Sequence, residues 1–107
     1  MSEINSPKLQ QLFKMLEREA EDTFLLYAIG MEYKKLDAPA KAIEYFDRVI
    51  QNDSGYCYAY FQRGQVFEQT GENEKAKLAY RDGIAAANRV GDAHAKSELE
   101  AALSMIE

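Results

Sequence analysis

Apolar residues recur every three or four positions over most of the chain, a spacing that predicts helices and no strands. Behind the helix-start pair Ser6-Pro7, the residues Leu9, Leu12, Phe13, Leu16 and Ala20 form one stripe, predicting a helix over residues 7–20. Towards the other end, Gly91 and Asp92 mark a stop and a fresh start. Ala95, Leu99, Ala102, Leu103 and Ile106 then form the stripe of a helix over residues 92–106. The middle of the chain repeats itself. A shift of 34 positions lays Gly30 on Gly64, Tyr33 on Phe67, Lys41 on Lys75, Ala42 on Ala76, Phe46 on Tyr80 and Ile50 on Ile84. Two helix-turn-helix units follow, residues 23–56 and 57–90.

The residue types at these positions have physical reasons. Glycine inside a helix costs about 1 kcal/mol relative to alanine, so Gly30 and Gly64 imply a close approach by a neighbouring helix. Ala42 and Ala76 keep the facing helix near, and Phe46 and Tyr80, one turn further on, supply rings to fill the remaining space. The turns agree. Gly71 and the equivalent Asp37 suit a left-handed helix end, Pro39 suits the first turn of the next helix, and Asn52, Asp53, Ser54 and Gly55 read as the loop between units.

With Leu26, Ile29, Gly30, Tyr33, Ala42, Phe46 and Val49 in the first unit, and Tyr60, Gly64, Phe67, Ala76 and Tyr80 in the second, the chain resembles the tetratricopeptide-repeat family. The resemblance implies an all-α fold, a short right-handed α-α superhelix or solenoid of two repeats. The helix over 7–20 would be half of a further repeat, and that over 92–106 a capping helix. Four residues depart from the family pattern: Arg63 stands at an aliphatic position, Gly83 where alanine is common, and Ser54 and Asn88 where proline closes a repeat. The role implied is a non-enzymatic scaffold that holds a peptide or helix in the concave surface lined by the first helix of each repeat.

Composition narrows the function classes. A formal charge of −5 argues against nucleic acid as partner, because that affinity comes from Lys and Arg displacing counterions from phosphates. Residues 1–7 have no apolar stretch behind a basic flank, and no later stretch approaches the roughly 20 apolar residues that span a bilayer, so a cytoplasmic location is expected. Cys57 and His94 are the only residues of their kinds, which excludes an internal disulfide and the usual cysteine-histidine zinc sites. Cys57 reads as a buried or half-buried small apolar residue and His94 as a surface residue. The acidic runs at Glu17, Glu19, Glu21 and Asp22 and at Glu98 and Glu100 read as solvated faces, leaving no catalytic candidate and no cofactor.

The informative constellation is aromatic. Within the repeat frame, Phe24, Tyr27 and Met31 lie along one face of the first helix of unit one, and Tyr58, Phe61 and Gln65 occupy the same places in unit two. These side chains are either core or the lining of a groove for a protein or peptide partner, with Lys34 and Lys35 at its rim. The family's clamp for acidic chain ends uses Lys and Asn at positions that here hold Tyr27, Met31 and Gln65, so that ligand class is not expected. The alternative use of the patch is structural, joining two copies of the chain as a homodimer.

Overall fold

The computed structural model describes residues 6–107. They form six helices: α1 (Pro7–Arg18), α2 (Thr23–Lys35), α3 (Pro39–Asn52), α4 (Cys57–Gln69), α5 (Asn73–Val90) and α6 (Ala93–Ser104). Each packs on its neighbour in chain order, and α2, α4 and α6 also touch in succession. The result is an all-α superhelical stack, measuring 36 × 30 × 18 Å. Its radius of gyration of 14.0 Å exceeds the roughly 13 Å of a compact globule of this length, as a layered slab should.

The helix ends follow the local chemistry. Ser6 caps α1 by accepting a hydrogen bond from the Leu9 amide at 3.1 Å, and Asp22 and Asp92 do the same for Leu25 and Ala95 at 3.0 Å each. Pro39 opens α3, Asp37 takes φ 59° before it, and Gly71 takes φ 79° at the equivalent turn. The first helix is shorter than its apolar stripe predicts. It ends at Arg18, because Glu21 adopts φ 62° and Asp22 begins the cap of α2, leaving Ala20 exposed in the connection. That unusual conformation is held from α3: Arg48 pairs with the Glu21 carboxylate, and Asn52 Nδ2 donates to the Glu21 carbonyl at 3.0 Å. Asn52 itself closes α3 instead of starting the loop between the repeats. In the second repeat, with Asn88 in place of a proline, α5 runs on to Gly91 at φ 75° and reaches 18 residues against 14 in α3.

The close approaches inferred from the glycines are present. A β-carbon on Gly30 would stand 2.7 Å from Phe46 Cε1, and one on Gly64 would overlap the Tyr80 ring. Leu26, Ile29, Phe46, Val49, Val66, Tyr80 and Leu99 are fully buried, each burial worth about 1.5–3 kcal/mol for the larger apolar side chains. The positions that depart from the family pattern are also accommodated. At Gly83 a β-carbon would meet Tyr60 Cβ at 2.8 Å and Leu99 Cδ2 at 2.9 Å, so the second repeat packs tightly where three helices converge. Arg63 lies over the Phe67 ring, with Nε 3.1 Å from Asp47 Oδ1 of α3, an ion pair without the alignment of a hydrogen bond. The Ser54 carbonyl accepts from the Tyr60 hydroxyl at 2.8 Å and from Arg89 at 3.0 Å.

The first helix is docked. Leu9 is buried, and Phe13 sits between Tyr33 and Tyr45 at ring-centre distances of 6.4 and 6.2 Å. Glu32 of α2, only 6% exposed, accepts from the Ser6 hydroxyl at 3.3 Å and lies 3.7 Å from Lys8 Nζ. Residues 1–5, on which most of the reading of residues 1–7 rests, lie outside those described.

Candidate partner-binding groove

The first helices of the two repeats, α2 and α4, lie side by side, and α6 takes the next place in the row. On α2 the predicted residues divide. Tyr27 leans on Phe46 at 5.7 Å and on Tyr56 at 5.1 Å, packing onto the first core; burial raises its hydroxyl pKa, while a hydrogen bond with Gln62 opposes the rise. Met31 packs on the same core. Lys34 Nζ donates to Gln62 Oε1 and Gln65 Oε1 at 2.6 Å each, so it ties α2 to α4, and loss of water around it lowers its pKa. Lys35 is exposed at the helix end, and Phe24 is 71% exposed at the helix start.

The residues on α4 face α6. Tyr58 donates its hydroxyl to Glu98 Oε1 at 2.7 Å; that bond, with lesser contributions from desolvation and the carboxylate charge, pushes its pKa up to about 12. Phe61 tilts against Tyr58 at 6.3 Å and against Tyr80 at 6.1 Å. Beside it opens a cleft of about 460 Å³, walled by Phe61, Gln65 and Glu68 of α4. Its opposite wall is Glu98, Ala101, Ala102, Met105 and Ile106, from α6 and the turn after it. Tyr80 contributes from α5, its hydroxyl donating to Glu68 and its pKa raised, first by burial and then by that bond.

The structure therefore brings Phe61 and Gln65 to a cleft, with Tyr58 against its Glu98 wall. Phe24, Tyr27, Met31, Lys34 and Lys35 lie outside its lining. The residues not anticipated are Glu68, Glu98, Ala101, Ala102, Met105 and Ile106. Their signal was available in part. Glu68 stands 34 positions after Lys34 and so shares its place on the first helix. The stripe over residues 92–106 signals a capping helix but not the far wall, which arises because α6 also stands beside α4 as a further first-type helix.

Elsewhere, a second cleft of about 370 Å³ opens between the starts of α3 and α5 and the end of α4, lined by Pro39, Ile43, Phe67, Thr70 and Lys75 among others. Cys57 is buried, with Sγ donating to the Gly55 carbonyl at 3.3 Å, and burial raises its thiol pKa. His94 lies at the surface, 3.7 Å from Glu98 Oε1. Among the described residues no three His, Cys, Asp or Glu side chains converge to hold a metal, and no helix is long and apolar enough to cross a membrane.

Comparison with known proteins adds an independent line. A family model described as the tetratricopeptide repeat matches residues 25–56 and 58–89. A TPR repeat-containing protein of Pseudomonas aeruginosa is 24% identical over 99 residues, covering 92% of this chain and 94% of its own. The solution structure of a tetratricopeptide repeat domain protein from Salinibacter ruber superposes with a TM-score of 0.76 at 30% identity, over 81% of this chain and 88% of that one. A protein from Bordetella parapertussis, 24% identical, shares the fold over 99% of this chain and 89% of its own, with a TM-score of 0.81.

Proposed function

This chain belongs to the tetratricopeptide-repeat family, and from that premise we propose that it is a non-enzymatic adaptor that takes a peptide or helix on the face formed by α2, α4 and α6. The observation that carries this reading is the half-buried Phe61 ring beside an open cleft of about 460 Å³. A large ring left accessible at the edge of an apolar cleft is the usual form of an interface anchor. Tyr58 and Gln65 flank that anchor, while the half-buried Tyr27, Met31 and Lys34 pack α2 towards its neighbours, with Phe24 and Lys35 at the outer edge of the face. The reading requires no cofactor, nucleic acid or membrane, and is compatible with a cytoplasmic location.

Direct binding tests it. A displayed random peptide library should yield ligands for the wild-type chain, and Phe61→Ala should weaken them by about tenfold or more, as removal of a central aromatic anchor does. Retention of full affinity by a folded Phe61→Ala variant would remove the cleft from the reading. A second use of the same face, pairing of two copies, is favoured by Met105, 85% exposed beside the cleft. Sedimentation over a wide concentration range separates the two: a species that stays monomeric rules out pairing.

A further inference from the structure

We infer that the cleft between α4 and α6 selects a peptide in which an Arg or Lys adjoins an apolar side chain; this rests on the peptide-binding reading above and specifies its ligand. Among the described residues, the only charged ones lining the cleft are Glu68 on one wall and Glu98 on the other. Between them lie Phe61, Ala101, Ala102, Met105 and Ile106, an apolar lining for a neighbouring side chain.

Both carboxylates are held in place and only partly used. Glu98 accepts the Tyr58 hydroxyl on Oε1, and Glu68 accepts the Tyr80 hydroxyl on Oε2. Among the described residues, the second oxygen of each takes no hydrogen bond or ion pair. Anionic acceptors fixed by tyrosines at the edge of an apolar cleft suit a guanidinium or ammonium group, whose stem can lie along Phe61.

The neighbouring repeat explains why the preference is for a cation. At the place equivalent to Glu68, the first repeat has Lys34, whose ammonium already donates to Gln62 and Gln65. The Lys34 ammonium is thus engaged within the fold, whereas Glu68 and Glu98 each keep an oxygen open to the cleft. The net charge of −5 favours the encounter with a basic segment.

The test is selection from a displayed random peptide library on the wild-type chain, followed by anisotropy titrations of the enriched peptides. Enriched sequences should carry Arg or Lys beside Leu, Met or an aromatic residue. Glu98→Gln and Glu68→Gln should each weaken them by about threefold to tenfold and flatten their salt dependence. Glu44→Gln, on α3 outside the cleft, should leave affinity unchanged. If Glu68→Gln loosens Tyr80 and fails to fold, Glu98→Gln decides, because Glu98 meets only groups outside the core, the Tyr58 hydroxyl and His94. Enriched peptides without basic residues, or unchanged affinity in folded Glu98→Gln, would overturn the inference and leave the adaptor reading standing. No enrichment on folded wild-type protein, or a dimer that blocks peptide entry, would overturn both.

Discussion

The ring of Tyr80 occupies the place where a β-carbon on Gly64 would stand. Gly64→Ala therefore opposes two effects: alanine gains about 1 kcal/mol in helix propensity, while forced overpacking costs about 1–3 kcal/mol. Overlap with a fully buried ring, itself tied to Glu68, makes the steric cost the larger. The variant should lose about 1–2 kcal/mol in urea unfolding. An unchanged midpoint would mean that Tyr80 can move aside without cost.

Phe24 and Tyr27 occupy one helix, and their truncations should differ. Tyr27→Ala removes a half-buried ring that packs on Phe46 and Tyr56 and should cost about 2–3 kcal/mol, less than the about 3–5 kcal/mol of a fully buried ring. Phe24→Ala, at 71% exposure, should stay within about 0.5 kcal/mol of wild type. Thermal melts of the two variants check the contrast, and equal losses would contradict it.

The docking of α1 depends on Ser6 in two ways, as cap of the Leu9 amide and as donor to Glu32. Ser6→Ala should cost about 1 kcal/mol. The loss should fall first on α1, where amide hydrogen exchange should accelerate while α3 to α5 keep their protection. Uniform acceleration along the chain would show that α1 opens only with the whole fold.

Stability should fall in alkali. Tyr27, Tyr33, Tyr56, Tyr58 and Tyr80 all have hydroxyl pKa values raised above the usual 10.0, that of Tyr58 to about 12. A raised folded pKa means that the folded state keeps its protons after the unfolded chain has lost them. This contribution is therefore intact below pH 10 and lost as pH rises through the folded values. Tyrosinate absorbance and helical circular dichroism followed together should show ionisation lagging past pH 10. Full ionisation near pH 10 in a chain that remains helical would refute this.

The sequence made the stack legible because small and large residues alternate at a fixed period: Gly30 and Gly64 signal a close helix approach, and Phe46 and Tyr80 the rings that fill the space. The turns at Asp37, Gly71 and Gly91 were equally visible, since few residue types tolerate their φ values. Glu21 was not, because its positive φ is held by Arg48 and Asn52, about thirty positions away. The candidate site was legible by half. Periodicity placed Tyr58, Phe61 and Gln65 on one face of α4, and the fold sets Phe61 and Gln65 of that face on the cleft. Periodicity could not say that Tyr27 and Met31 pack half-buried against the first core, nor that α6 supplies a wall, because both depend on how whole helices meet.

The chain has seven tyrosines and no tryptophan, so its ultraviolet emission is that of tyrosine alone. A phenol bonded to a carboxylate is a poor emitter, because the excited hydroxyl passes its proton along the bond. Tyr58 on Glu98 and Tyr80 on Glu68 should therefore emit weakly in the folded protein, one at the mouth of the cleft and the other buried behind its lining. A ligand that takes Glu98 from Tyr58 would brighten the first without unfolding the second, giving the molecule an internal lamp for its own occupancy.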